Sequence, residues 1–224
     1  MLKKILYTAT LLCAATFSNA GTITLTDTVA LQTTDFTKTL SFANFDTLSG
    51  ARVLESVAFS IDGSIFGDIE VESRAAAPST ITATLSAELT LTDALMNTLV
   101  VTIPSITRIF NASAFDGVVD FGGTSGMTYS GLTAQKFEQS IYTDATTLAM
   151  FTGMGTSMFT FDAAAVSVAT GAGGITSVFN TTAGGIVEVI YTYREVPKQV
   201  TAPSQIALLG FGLLAFAGFR RIRK

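Results

Sequence analysis

Residues 80–91 alternate without interruption: Thr80, Thr82, Thr84, Ser86, Glu88 and Thr90 stand between Ile81, Ala83, Leu85, Ala87, Leu89 and Leu91. A period of two places every apolar side chain on one face of an extended chain and every hydroxyl on the other, which a helix cannot do. Thr22 to Thr26 repeats the pattern. Strand-like runs recur at residues 36–42, 53–61, 65–73, 99–109, 158–161 and 186–193. Threonine suits such surfaces because its branched Cβ packs well on a pleated sheet. The expected fold is therefore all-β, an antiparallel β-sandwich of Ig-like or jelly-roll-like type, with one wet and one buried face per sheet.

Turn chemistry divides these runs. Asp62-Gly63 lies between two apolar stretches and predicts a two-residue hairpin, since a type I′ turn needs positive φ at both central residues. Asp116-Gly117 gives a second, weaker signal of the same kind. Pro104 marks a strand break or an edge. The glycine clusters at 171–174 and 184–185 read as loops. No Lys-Ser/Thr follows them, so they are not phosphate cradles. Residues 142–151 are expected to form a short helix or a loop crossing.

Both ends carry a different signature. Lys3 and Lys4 precede an apolar stretch over residues 5–17, and Ser18-Asn19-Ala20 puts small residues at −3 and −1 of a cut before Gly21. Residues 1–20 thus read as a secretory signal peptide, cleaved between Ala20 and Gly21. This stretch, broken only by Thr and Tyr, is thirteen residues long and falls short of the roughly 20 needed to span a bilayer. The only cysteine, Cys13, lies inside this segment, and Leu12 stands before it where a lipid-attachment signal wants a small residue. A mature chain starting at Gly21 has no cysteine and forms no disulfide, so its core must hold it together.

At the other end, residues 206–219 are uncharged and apolar, about 21 Å long as a helix against a hydrocarbon core of roughly 30 Å. Arg220, Arg221, Arg223 and Lys224 follow at once. Such a cluster stays on the cytoplasmic side and can snorkel to lengthen a short span. The order is then a body over residues 21–195, a linker with a sorting motif over 196–205, a membrane helix over 206–219 and a basic tail over 220–224. An outer-membrane barrel also alternates, but it would end in a strand.

The tail, with Val200, Pro203 and Ser204 ahead of the glycine-spaced helix and its terminal arginines, resembles the PEP-CTERM sorting signal. Thr201 stands where that family has its first proline, and Ala202 replaces its glutamate. The resemblance implies handling by an exosortase-type sorting enzyme after passage through the export machinery, as a variant subclass or as a retained anchor. An ordinary unprocessed C-terminal anchor is the alternative. A second resemblance covers residues 27–193. Phe45-Asp46-Thr47-Leu48-Ser49-Gly50, then Leu54-Glu55-Ser56-Val57, Gly63 and Glu70-Val71-Glu72, are similar to the opening of the choice-of-anchor E domain. Phe151 to Thr156 and Val189 to Tyr193 resemble its later strands. That family usually has proline where Thr47 stands, and it implies attachment to a surface without an activity.

Charge and residue type restrict chemistry further. Six of the thirteen basic residues lie in the terminal segments, which leaves seven against all seventeen acidic ones in the body, a net of −10. That opposes nucleic acid, whose binding depends on Lys and Arg contacts to phosphate. The chain has no histidine, which excludes a Ser-His-Asp triad, Cys-His catalysis and histidine-ligated zinc. No catalytic, cofactor or metal residue is marked. Asp62, Asp116, Asp120, Asp144 and Asp162 lie at or near predicted turns, where carboxylates can ligate Ca²⁺, but Asp favours turns for its own reasons and no EF-hand spacing is present. Tyr129, Tyr142, Tyr191 and Tyr193 are the candidates for sugar contact, each a flat face with a polar tip. The expectation is an exported, non-catalytic surface or extracellular-matrix protein associated with extracellular polysaccharide. The alternatives are a carbohydrate-binding or adhesive module, calcium-dependent or not, and a polysaccharide-active enzyme.

Overall fold

A computed structural model of the chain describes residues 20–171 and 173–197. Residues 1–19 of the expected signal peptide, the expected motif Val200, Ala202, Pro203, Ser204, the apolar run 206–219 and the basic cluster Arg220, Arg221, Arg223, Lys224 lie outside the described residues. Ten strands and one short helix make up the described chain: β1 (Ala20–Thr33), β2 (Phe36–Ala43), β3 (Arg52–Ser73), β4 (Ser79–Asp93), β5 (Thr98–Thr102), β6 (Ser105–Ala112), β7 (Gly126–Tyr142), α1 (Ala145–Met150), β8 (Thr156–Ala165), β9 (Val168–Gly171) and β10 (Ile175–Glu195). All the pairings between these strands are antiparallel, in two sheets.

The first sheet runs β1-β10-β3-β7. The second runs β2-β8-β4-β5, with β9 and β6 also on β4. The long β4 is what both short pairs share. Along one edge it pairs β8 through Ala87–Asp93 and β9 through Ile81–Thr84. Along the other it pairs β5 and β6. Pro104 separates β5 from β6, as a residue without an N–H must at that point of a ladder. Between β8 and β9 the Ser167 hydroxyl substitutes for the ladder, accepting from Ser86 N at 3.0 Å and donating to Ser86 O at 3.1 Å.

Alternation builds the core. Ile81, Ala83, Leu85, Ala87, Leu89 and Leu91 are all essentially inaccessible, and they face Val57, Phe59, Ile61, Ile65, Ile69 and Val71 of β3 and Val187, Val189 and Tyr191 of β10. An aromatic cluster fills one part: Phe59 lies 5.1 Å from Phe151, 5.6 Å from Phe159 and 5.8 Å from Tyr142, centroid to centroid. These tilted and edge-on pairs add to the burial of their surface. Helix α1 begins at Asp144, whose carboxylate accepts from Thr147 N at 2.9 Å as an N-cap.

Three turn readings are corrected. Asp62-Gly63 is not a hairpin: β3 passes straight through it, with Asp62 opposite Ile186 and Gly63 opposite Gly185. Gly63 is there for space, since a Cβ on it would stand 2.6 Å from Leu89 Cδ1 and 2.8 Å from Thr102 Cγ2 in the facing sheet. Gly184-Gly185 is likewise mid-strand in β10, where a Cβ on Gly185 would stand 2.6 Å from Asp62 O. Asp116-Gly117 sits in a crossing between β6 of one sheet and β7 of the other rather than at a hairpin tip.

Register places the two ends of the described body. Ala20 pairs with Arg194 and Thr33 with Thr182. The body therefore opens and closes at the same end of the first sheet. The β1–β2 turn at Thr34-Asp35 lies at the far end of β1, about 44 Å away at 3.4 Å per residue.

Candidate functional site

The five aspartates singled out by the sequence do not converge. Asp62 and Asp162 are in strands, contrary to the turn positions expected of them, and the Asp162 carboxylate accepts from Thr37 Oγ1 at 2.8 Å. Asp116 and Asp120 each accept from a backbone N–H two residues on, Val118 N and Gly122 N, both at 3.0 Å. Asp144 caps α1, and the hydrogen bonds from Thr147 hold its carboxyl below the usual range. Among the described residues no three Asp, Glu, His or Cys side chains gather where a metal could be held.

The tyrosines are structural rather than open platforms. Tyr191 is buried to 1% exposure and donates to Ala43 O at 3.1 Å; burial pushes its hydroxyl up to about 12. Tyr142 donates to Leu99 O at 2.7 Å, and burial, with Asp93 nearby, raises its pKa. Tyr129 donates to Ile109 O at 3.2 Å. Tyr193 is clamped between Phe45, 5.4 Å away, and the Arg52 guanidinium at 4.7 Å.

A buried carboxylate occurs elsewhere. Glu72 belongs to the outward-facing set of β3, with Asp62, Phe66, Asp68 and Glu70, yet it is fully inaccessible because the segment between β6 and β7 folds over it. Its Oε2 accepts from Phe121 N at 2.9 Å, while Oε1 has no partner among the described residues. A Cβ at Gly126 would collide with this carboxylate. Glu72 holds that segment down.

A concavity with free polar groups lies at the end of the first sheet opposite the Ala20–Arg194 pair. A cleft of about 400 Å³ is lined by the β1–β2 turn, by Phe66 to Asp68 of β3 and by Phe179 to Thr182 of β10. Asp35 adopts φ 67°, a left-handed conformation uncommon outside glycine. It is pinned to β8 twice: its N–H donates to Ala163 O at 2.8 Å, and its Oδ1 accepts from Ala165 N at 2.9 Å. Asp68 Oδ1 accepts from Gly131 N at 2.8 Å, at the irregularity where β7 slips its register against β3. Each carboxylate is fixed through one oxygen and leaves the other without a donor among the described residues. Asn180, opposite Asp68 in the register, engages its side chain with no other described residue. Phe66 is 45% exposed beside them and also borders a second depression of about 550 Å³ with Leu31 and Gln135. The sequence reading missed this constellation.

No family model and no curated protein matches the chain. Among solved structures the chain is similar to one of infectious bursal disease virus, Gx strain, at 12% identity and a TM-score of 0.22, covering 88% of this chain and 47% of that one. It is also similar to the VP2 subviral particle of the same virus, at 10% identity and a TM-score of 0.23, covering 91% and 49%. The chain spans about half the length of these structures, and a likeness at such TM-scores carries no weight for fold or function.

Proposed function

We propose that this chain is an exported, non-catalytic surface or extracellular-matrix protein. Its antiparallel body, of Ig-like or jelly-roll-like kind, is displayed from the envelope by a C-terminal sorting segment and associates with exopolysaccharide. The observation that supports this best is the pairing of Ala20 with Arg194. Both connections, to the segment before Gly21 and to the motif Val200, Ala202, Pro203, Ser204, leave the body at one end, so a tether there holds the rest of the molecule away from the membrane. The non-catalytic reading draws on the absence of histidine and on carboxylates that serve turns, caps and ladders one at a time. A core of interdigitated strands suits an exported domain that has no disulfide after cleavage.

The test is cellular. N-terminal sequencing of the envelope form should begin at Gly21. Replacing Arg220, Arg221, Arg223 and Lys224 with Gln should disturb retention or orientation, since the positive cluster holds that end inside. Met1 on the exported protein, or unchanged surface delivery of the Gln variant, would defeat the proposal.

A further inference from the structure

We propose that the cleft between Asp35, Phe66, Asp68 and Asn180 is a binding site for a neutral saccharide, entered by one residue or chain end of an extracellular glycan. The chemistry follows from what the cleft leaves unused. Asp35 Oδ2 and Asp68 Oδ2 have no donor among the described residues, so they seek O–H groups, which sugars supply in adjacent pairs. The Asn180 carboxamide offers a donor and an acceptor on the same wall. Phe66 gives a flat apolar face at the rim, suited to the C–H face of a pyranose.

Three features distinguish this from an ordinary surface dent. Both carboxylates are held before any ligand arrives, Asp35 by the Ala165 N–H of β8 with its backbone N–H also tied to Ala163 O, and Asp68 by the backbone of β7. Preorganised acceptors avoid ordering costs on binding. Gly67 lies so close to Asn180 O that any side chain there would collide with it, which brings β3 and β10 together beneath the cleft. Asp35 also occupies a left-handed backbone conformation, of the kind that collects at ligand sites.

Charge selects among sugars. Two carboxylates in a body of net charge −10 disfavour uronates and sulfated glycans, so the ligand is neutral. Phe66 separates the cleft from the second depression, so a glycan chain can cross the ring and contact both. This inference rests on the envelope-display reading only for the source of its ligand and for its orientation. In that arrangement the cleft stands about 40 Å beyond the tether, at the outward end.

The experiment uses the purified full chain in detergent micelles. It is titrated with neutral hexasaccharides of α-glucan, β-glucan, galactan and mannan, with a polyuronate hexamer as the anionic probe, and binding is read by saturation-transfer NMR and ligand shift changes. At least one neutral hexamer should bind saturably and the polyuronate should not. Phe66→Ala and Asp68→Asn should each weaken binding by about tenfold. Asp68→Asn keeps the acceptor for Gly131 N, so its thermal midpoint should stay close to that of the parent. Ile109→Ala, at an exposed apolar position on the other sheet, should bind as the parent does. Absence of saturable binding by every neutral hexamer, preference for the polyuronate, or equal loss in Ile109→Ala would overturn the assignment. Failure of export would leave these titrations standing and refute only the display reading. Export without binding would refute the cleft alone.

Discussion

A methyl group added at Gly63 probes a close approach between the two sheets. Gly63 is mid-strand and outside the left-handed region. Its Cα faces the second sheet at a point where an added Cβ would stand 2.6 Å from Leu89 Cδ1, against an ordinary contact of 3.4–4 Å. Roughly 1 Å of displacement is required of a packed interior. Leu89 is inaccessible, and Thr102 is held by its hydroxyl bond to Lys136 O at 3.1 Å, so neither swings away freely. Gly63→Ala should therefore cost about 1–3 kcal/mol as overpacking. Leu89→Ala alone should cost about 2–5 kcal/mol through the cavity it leaves. Together the new methyl occupies part of that cavity, and the double variant should be more stable than the sum of the two losses by at least about 1 kcal/mol. Urea unfolding followed by far-UV circular dichroism and tyrosine fluorescence measures this, the chain having no tryptophan. At a hairpin tip Gly63→Ala would be strained by its positive φ whatever stood at position 89, and the two losses would simply add. Additivity within about 0.5 kcal/mol would refute the continuous strand.

Tyr191→Phe should cost about 1 kcal/mol at neutral pH by removing the bond to Ala43 O. With Tyr191 present, stability should be full below pH 10 and fall by up to about 2 kcal/mol as pH rises toward 12, because the fold favours the protonated phenol; the Phe variant should lose this slope. Asp144→Asn should keep α1 capped yet remove the contribution that Asp144 loses as pH falls through its lowered pKa, read by acid titration of stability. Glu72→Ala strands Phe121 N and should destabilise the chain by about 1–3 kcal/mol, with faster amide exchange at Phe121 and Gly122.

Much of the fold was legible because period two is hard to imitate. The run 80–91 became β4, residues 36–42 became β2, Pro104 fell between β5 and β6, and of the short helix or loop crossing expected over 142–151 the helix is the one that forms, as α1. What was not legible has local causes. Strand β7 is invisible to an alternation count because its inward residues change parity: Met127 and Tyr129 face in, then Leu132 and Ala134, across a slip at Gly131, which adopts φ 68°. A bulge of this kind flips every later side chain in the sequence pattern. The glycines misled for the opposite reason. Asp-Gly and Gly-Gly encode turns when their value is conformational, and here it is steric: Gly63 leaves room for Leu89 and Thr102 of the facing sheet, and Gly185, opposite it in the register, leaves room for the backbone of β3 at Asp62. Only knowledge of the facing sheet, for Gly63, and of the neighbouring strand, for Gly185, separates those two uses.

The cleft was hidden more deeply, because its members come from three segments that meet only through register. Asn180 reaches Asp68 by the β10–β3 pairing, and Asp35 joins them from the turn that carries the chain between sheets. One trace of it was nevertheless in the sequence. In β3 the inward set is Ile61, Gly63, Ile65, Gly67, Ile69 and the outward set Ser60, Asp62, Ser64, Phe66, Asp68, so a large aromatic stands at a position where its neighbours are polar. A lone exposed leucine means little, whereas an aromatic at polar parity, beside a fixed carboxylate and an unengaged carboxamide, exposes apolar surface that the core did not require. The four tyrosines drew attention because phenols look suited to sugars, yet the hydroxyls of Tyr191, Tyr142 and Tyr129 were already engaged with Ala43 O, Leu99 O and Ile109 O, and the Tyr193 ring was packed between Phe45 and Arg52. Parity within a strand, more than residue type, is the signal by which a recognition aromatic departs from a structural one in a fold of this kind.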